Sequence, residues 1–302
     1  MTPPRDDVEF ESLGATLRGW LYRSEGPEPG PAVVMAHGLT AVKEMFLDSY
    51  AEAFAQAGFT AMVYDHFGFG ASEGEPRQSP AISIQLQGYR DATAWLGRQQ
   101  SVDAKCIGLW GSSLSGGEVI TLASEEIPIA CAVAQVPNLG EGSPEPPKGL
   151  LAELENIAKA ARTDATLPAV TEDADGVGVM FEDGAFAWFT RVAAERAPNW
   201  RNEILVSGLS EAAAHRPIDD LSRTRVPLLL IVAPGDQLTP PGPALIMAAG
   251  TPLVTVVEIP GNHFDAYEAG FLASCGPAID WFHAHLVSSV GTARHLSHQQ
   301  QE

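Results

Sequence analysis

The sequence predicts an α/β protein with a mostly parallel central sheet flanked by helices and interrupted by a helical cap insertion. Three observations lead there. Ala32-Val33-Val34-Met35-Ala36, Thr60-Ala61-Met62-Val63-Tyr64 and Ile129-Ala130-Cys131-Ala132-Val133-Ala134-Gln135 are continuous apolar runs, the pattern of strands buried on both faces. Helix-compatible stretches separate these runs, and such alternation specifies a parallel sheet with crossover helices on both faces. The alternation stops after Gln135 and resumes at Val226. With 302 residues, 45% of them hydrophobic, the chain can bury one large core and carry an insertion. The expected organisation is a first core part over 1–136, a helical cap over 137–225, a second core part over 226–290 and a flexible tail over 291–302.

Taken in order, Val8-Glu9-Phe10-Glu11-Ser12-Leu13 alternates apolar and polar, Gly14-Ala15 turns, and Thr16 to Tyr22 alternates again, an antiparallel hairpin. Pro27, Pro29, Gly30 and Pro31 mark a loop before the first buried strand. That strand runs into His37-Gly38-Leu39-Thr40. From Lys43 to Ala57, Met45, Phe46, Tyr50, Phe54 and Ala57 fall at helical spacing, and Gly58 ends the helix. The next strand ends at Asp65, a glycine-rich loop follows to Pro76, and a helix is expected from Ile82 to Gln99. Beyond the third strand, Gly140 to Pro147 resembles a linker and Leu150 to Arg162 a helix. Phe181, Phe186, Trp188, Phe189 and Trp200 cluster in the insertion, where they pack among themselves or line an apolar pocket. Val226 to Ala233 is a strand, Pro243 to Ala249 a short helix, Leu253 to Ile259 the last strand, and Tyr267 to Leu286 the final helix.

The net charge of -20 repels phosphate backbones and anionic lipid, so nucleic-acid and membrane partners are not expected. No run approaches the roughly 20 apolar residues of a membrane span. The start, Met1 to Asp7, has no apolar signal core. Cys106, Cys131 and Cys275 are odd in number and sit in apolar stretches, which suits reduced core residues in a cytoplasmic protein. No histidine pair at metal-ligand spacing lies near a strand end, so neither a metal nor another cofactor is expected.

The chemistry concentrates in Cys106-Ile107-Gly108-Leu109-Trp110-Gly111-Ser112-Ser113-Leu114-Ser115-Gly116-Gly117. It reads as strand, sharp turn and helix, with small residues crowding a serine at the apex. Ser113 is preferred to Ser115 because Gly111 directly follows the apolar strand, and Ser112 then supports the turn. A serine nucleophile needs a base, an acid that orients the base, and donors for an oxyanion. Asp236 and His263 follow Ser113 in that order, each just after a predicted strand, and the carboxyl ends of parallel strands share one edge. Asp265 is a weaker acid candidate, only two residues from His263. The oxyanion donors are expected to be the amides of Leu114, after the nucleophile, and Leu39, in the turn shaped by His37-Gly38. Phe67, Phe186, Trp188 and Phe189 are the candidate substrate-binding residues. His37, His66, His215, His283, His285, His295 and His298 are read as structural or surface residues.

His37-Gly38, the stretch Asp65 to Gly74, Gly111 to Gly117, Gly235-Asp236 with Pro240, and Gly261-Asn262-His263 carry a family resemblance. The chain resembles an α/β-hydrolase over nearly its whole length, in the dienelactone-hydrolase-like and X-Pro-peptidase-like branch that includes fungal polyketide transferases. The resemblance implies an α/β-hydrolase fold and catalytic roles for Ser113, Asp236 and His263. Ser115 replaces the usual glycine, and Phe67 stands where relatives often carry arginine. The expected activity is hydrolysis of small to medium apolar carboxylic esters through an acyl-enzyme on Ser113. Acyl transfer, peptide hydrolysis and non-catalytic binding on the same fold stay open. The expected partner is a small-molecule ester, and a homodimer stays open.

Overall fold

The computed structural model describes residues 3–141, 156, 165–172 and 178–287. Apart from Asn156, the helix expected over 150–162 lies outside the described residues, as does the tail over 291–302.

β1 (Arg5–Ser12) and β2 (Ala15–Tyr22) form the antiparallel hairpin, with Ser12 opposite Ala15. Leu13 and Gly14 turn the chain with φ of 51° and 78°, the paired left-handed conformation that matches strand twist in a two-residue loop. β3 (Gly30–Ala36) is followed by α1 (Leu47–Gln56), β4 (Thr60–Tyr64) and α2 (Ile82–Leu96). β5 (Val102–Ser112), α3 (Leu114–Ala123) and β6 (Cys131–Gln135) come next. The 137–225 segment holds β7 (Thr166–Leu167), α4 (Ala185–Arg196), β8 (Ile204–Leu205), α5 (Val206–Ala214) and α6 (Ile218–Leu221) among its described residues. β9 (Leu228–Val232), α7 (Gly242–Ala248), β10 (Val254–Glu258) and α8 (Phe271–Phe282) complete the chain.

The eight-stranded sheet has the order β1-β2-β4-β3-β5-β6-β9-β10. Only β2 runs against the other strands: it pairs antiparallel with both β1 and β4, and every other pair in the sheet is parallel. The sheet is covered on both faces. Tyr50 and Phe54 of α1, Phe59, Trp110 and Phe282 fill one side; Phe10, Leu17, Met62, Tyr64, Tyr89 and Leu96 fill the other. The three cysteines are buried and form no disulfide. No described helix is long and apolar enough to cross a membrane.

Three elements depart from expectation. α1 starts at Leu47 rather than Lys43, because Phe46 takes a left-handed φ of 67° and Lys43 is held in a turn by Asp65. The Lys43 amide donates to Asp65 Oδ1 at 2.8 Å and its ammonium to Oδ2 at 2.7 Å. A short antiparallel β7–β8 pair lies in the segment expected to be helical. The final helix starts at Phe271, after a 3-10 turn over Asp265–Tyr267.

The Lys43–Asp65 pair joins the loops after β3 and β4 at the carboxyl edge, with both side chains almost fully buried. Removing one buried partner strands the other charge. Lys43→Met is therefore expected to lower unfolding stability by about 3–5 kcal/mol, read from urea midpoints.

Candidate active site

The apex is built by strain and close approach. Ser113 links β5 directly to α3 with φ 60° and ψ -119°, a left-handed backbone that a serine adopts only where its surroundings force it. Its amide donates to the Gln135 carbonyl at 2.9 Å, and its carbonyl accepts from the Asn138 amide at 2.9 Å. The turn after β3 presses on the same point. A Cβ on Gly38 would stand 2.8 Å from Ser113 Cβ and 2.9 Å from the Ser112 carbonyl oxygen, so only glycine fits there.

The two other chemical residues sit at the ends of β9 and β10. The Gly235 amide donates to the Gly261 carbonyl at 3.1 Å, which ties the aspartate turn to the histidine loop. Asp236 Oδ2 lies 2.7 Å from His263 Nδ1, and both residues are almost fully buried. Thr239 fixes the carboxylate: its amide donates to Oδ1 and its hydroxyl to Oδ2, each at 2.7 Å. With Nδ1 engaged, the opposite ring nitrogen, Nε2, is the one left for a reacting group. Asp265 makes no hydrogen bond to the imidazole; its Oδ2 accepts from the Asn262 amide at 2.8 Å and shapes the loop.

Ser113 and His263 line one narrow cavity with Gly38, Leu39, Met45, Leu47, Met180, Trp188, Phe189, Phe264 and Tyr267. Its free volume is about 20 Å³, room for roughly one water molecule. Among the described residues Ser113 Oγ and His263 Nε2 make no direct hydrogen bond, and such contacts commonly tighten only when substrate binds. Leu39 reaches this cavity in the turn after β3, and Leu114 opens α3, where the first amides lack intrahelical partners.

Of the four aromatic candidates, Trp188 and Phe189 line the cavity. Phe186 packs against the apolar core instead, and Phe67 lies in a separate surface depression with Arg18, Glu73 and Arg77. The physical reason is local. The Phe67 ring occupies the space beside Gly74, where a Cβ on Gly74 would stand 2.5 Å from it, and so lines that depression rather than the Ser113 cavity. Helical geometry separates the cap residues: Trp188 and Phe189 are buried on the cavity side of the helix, while Phe186, about half a turn away, is only partly buried against the core.

Sequence reading missed Thr239 and Tyr267. Tyr267 OH lies 2.6 Å from Ser112 Oγ, which also accepts from Gln135 Nε2 at 3.3 Å, and Ser274 donates to Gln135 Oε1. This chain of side chains backs the apex. His37 is buried; its Nδ1 bonds the Gly38 carbonyl at 2.9 Å and its Nε2 accepts the His66 amide at 3.1 Å. It shapes the turn and does not line the cavity.

A family model described as serine aminopeptidase, S33, matches residues 27–262. A thiohydrolase of Eupenicillium brefeldianum is 31% identical over 261 residues, covering 82% of this chain and 83% of the relative. A polyketide transferase, grgF, of Penicillium sp is 35% identical over 199 residues, 65% of each chain. The crystal structure of the α/β hydrolase GrgF from Penicillium sp. sh18 superposes with a TM-score of 0.79 at 26% identity, over 94% of this chain and 99% of that one. The chain belongs to this S33 family of α/β-hydrolases, and its relatives include fungal thiohydrolases and polyketide transferases.

Gly38 offers a test of the site that leaves all side-chain chemistry in place. Gly38→Ala is expected to push the Leu39 turn off Ser113 and lower kcat/KM on an activated ester by roughly 10²–10³, the usual loss for one oxyanion donor. Circular dichroism of the same variant should show an intact fold.

Proposed function

We propose that the chain is a serine hydrolase that cleaves carboxylic esters of short, apolar acyl groups through an acyl-enzyme on Ser113. One observation carries the reading: a serine held at a strained strand–helix apex shares a narrow, mostly apolar cavity with a histidine whose Nδ1 is fixed by a buried aspartate. His263 Nε2 takes the Ser113 proton as Oγ attacks the acyl carbon. The amides of Leu39 and Leu114 donate to the oxyanion. His263 then gives the proton to the leaving oxygen as the bond to it breaks. Water, deprotonated by His263, attacks the acyl-enzyme, and Ser113 recovers its proton. Asp236 holds the imidazole in the tautomer with Nδ1–H and stabilises the imidazolium that forms.

The cavity walls select the acyl group. Among the described residues lining it there is no carboxylate or cation, so nothing is placed to hold a peptide α-ammonium or a charged acyl chain. This favours esters over peptides, whatever the family model's description. The wall over Ser113 is made by Met180, Trp188 and Phe189 from the insertion. Trp188 stacks on Phe264 with ring centroids 4.7 Å apart and donates its Nε1–H to Glu268 at 2.9 Å.

A second reading, acyl transfer to an alcohol, uses the same acyl-enzyme. Similarity to a polyketide transferase favours it, and so does the little space left for water. Similarity to a thiohydrolase extends the first reading to thioesters, where the leaving atom is sulfur.

Ser113→Ala is expected to lower kcat on p-nitrophenyl esters by about four to six powers of ten and to abolish fluorophosphonate labelling. Near-normal turnover by that variant would remove Ser113 from the chemistry. Across an ester and thioester panel, acetyl to butyryl groups should exceed decanoyl and succinyl groups by at least about tenfold in kcat/KM, a difference of about 1.4 kcal/mol in transition-state binding. A preference for the charged succinyl group would contradict the apolar wall. Products analysed with and without added alcohols separate hydrolysis from transfer.

A further inference from the structure

Beneath the apex lies a buried polar cluster that the mechanism above does not use. Ser115, the residue standing where the nucleophile motif usually has its second glycine, is fully buried in the first turn of α3. Its Oγ has three partners: the His37 carbonyl at 2.6 Å, Glu118 Oε2 at 2.8 Å and His66 Nε2 at 2.9 Å. A serine hydroxyl carries one proton and can accept two. The His37 carbonyl can only accept, so the Ser115 proton must go to it. The other two partners must then donate. His66 donates from Nε2–H, which leaves its Nδ1 a bare lone pair; that atom has no hydrogen-bond partner, a condition a buried acceptor tolerates better than a buried N–H. Glu118 can donate only as a carboxylic acid.

We propose that Glu118 is a positioning residue held as a neutral acid, whose Oε2–H donates to Ser115 so that the Ser115 hydroxyl is free to hold the His37 carbonyl and, with it, the turn that carries the Leu39 amide. The kinetic part of this inference rests on the serine-hydrolase reading proposed above; the protonation part does not.

The surroundings agree. Glu118 has 0% exposure, and its Oε1 has no partner, a state far more costly for a carboxylate than for an acid. The titratable groups facing it come from three other elements. His66, in the loop after β4, stands 3.7 Å away; Tyr64 on β4 and Tyr89 on α2 also face it. His37, from the turn after β3, lies behind His66 with ring centroids 4.7 Å apart. Burial, and then the neighbouring His37, push His66 well below the ordinary histidine range; burial also lowers His37 and raises both tyrosines. All four are neutral at pH 7. Lys43 is engaged by Asp65 and Glu44. Burial pushes the Glu118 carboxyl up to about 8, against the lowering that a hydroxyl turned towards it would give.

Glu118→Gln keeps the shape and a donor and cannot ionise. Melting temperatures of wild type and E118Q across pH 5 to 9 are the test. The folded-state value of Glu118 lies above its ordinary value of 4.5, so folding takes up a proton between the two. Its favourable contribution is complete below the ordinary value and is lost as pH rises towards 8. E118Q has no such loss, so its melting temperature should gain on wild type from pH 5 to pH 8 and level off above. A gap that stays constant over this range overturns the proposal. Infrared difference spectra give a second reading. Glu44 is also raised, by burial and then by Asp65, so the comparison is made in a Glu44→Gln background. The protonated-carboxyl band should be present at pH 7 and lost above about pH 9; its absence at pH 7 overturns the proposal even if E118Q does not fold. In kinetics, wild-type kcat should fall about tenfold per pH unit above pH 8, with KM little changed, while E118Q holds its rate. An identical alkaline limb in both proteins removes the positioning role. An inactive wild type with the expected melting gap would instead leave the protonated Glu118 standing and remove the proposed function.

Discussion

The structure depends on one steric constraint: three segments of backbone meet at Ser113 with no space for side chains between them. The apex serine is bent to a left-handed φ, the Gly38 turn touches its Cβ, and the Gln135 and Asn138 backbones close the other sides. Gly111 belongs to the same constraint, because a Cβ there would overlap the Ser115 carbonyl. Strain of about 1–3 kcal/mol at one residue persists only where its surroundings over-determine it. Here the parallel strands β3, β5 and β6 supply the rigidity, being hydrogen-bonded side by side and buried on both faces. The constraint therefore connects sheet order directly to the placement of the Ser113 hydroxyl.

Two buried polar networks support that crowded point from different sides. Behind it, Tyr267, Ser112, Gln135 and Ser274 link the helix α8 side to the ends of β5 and β6. Beneath it, Ser115, Glu118, His66 and His37 link α3 to the loops after β3 and β4. A buried polar network rigidifies when its bonds are made and is costly when they are not. Both networks lie next to the apex, where small displacements matter most, while the faces of the sheet farther away are packed with apolar side chains. Placing the polar groups near the apex couples the cost of breaking them to the position of Ser113 and Leu39.

The buried strands, the hairpin and the order of Ser113, Asp236 and His263 were legible in the sequence because each leaves a local mark: an apolar run, an alternation, a glycine-flanked residue at a strand end. The start of α1 was not, because Met45 and Phe46 keep helical spacing while Phe46 takes a left-handed conformation. Tyr267 was not, because its role depends on a residue 155 positions away, Ser112; Thr239 was not, because a threonine three residues past Asp236 looks like any turn residue until the turn brings its amide and hydroxyl onto the carboxylate. Glu118 and His66 were hidden for a related reason. A glutamate inside a helix ordinarily marks the exposed face, and only the packing of α2, β4 and the β3 turn around it makes Glu118 a buried group. Phe67 and Phe186 show the converse: composition identified aromatics for a pocket, and side-chain direction decided which of them reach it.

The cap completes the site by direction as well. α4 is fastened to the core along its length: Asp183, just before it, accepts from the Gln237 amide, Trp188 and Arg191 both reach Glu268, and Arg196 grips Asp48 with distances of 2.8 and 2.6 Å. Several of these groups are partly exposed, and ion pairs of that kind contribute only about 0–1 kcal/mol each. The aromatic stack of Trp188 on Phe264, beside Phe189 and Tyr267, therefore contributes most to holding the wall over Ser113. That stack leaves about 20 Å³ free beside Ser113. A charged group brought into that space would leave its hydration shell for a wall whose described residues carry no carboxylate, ammonium or guanidinium. The preference proposed for apolar acyl groups thus rests on the same close packing that holds the serine in place.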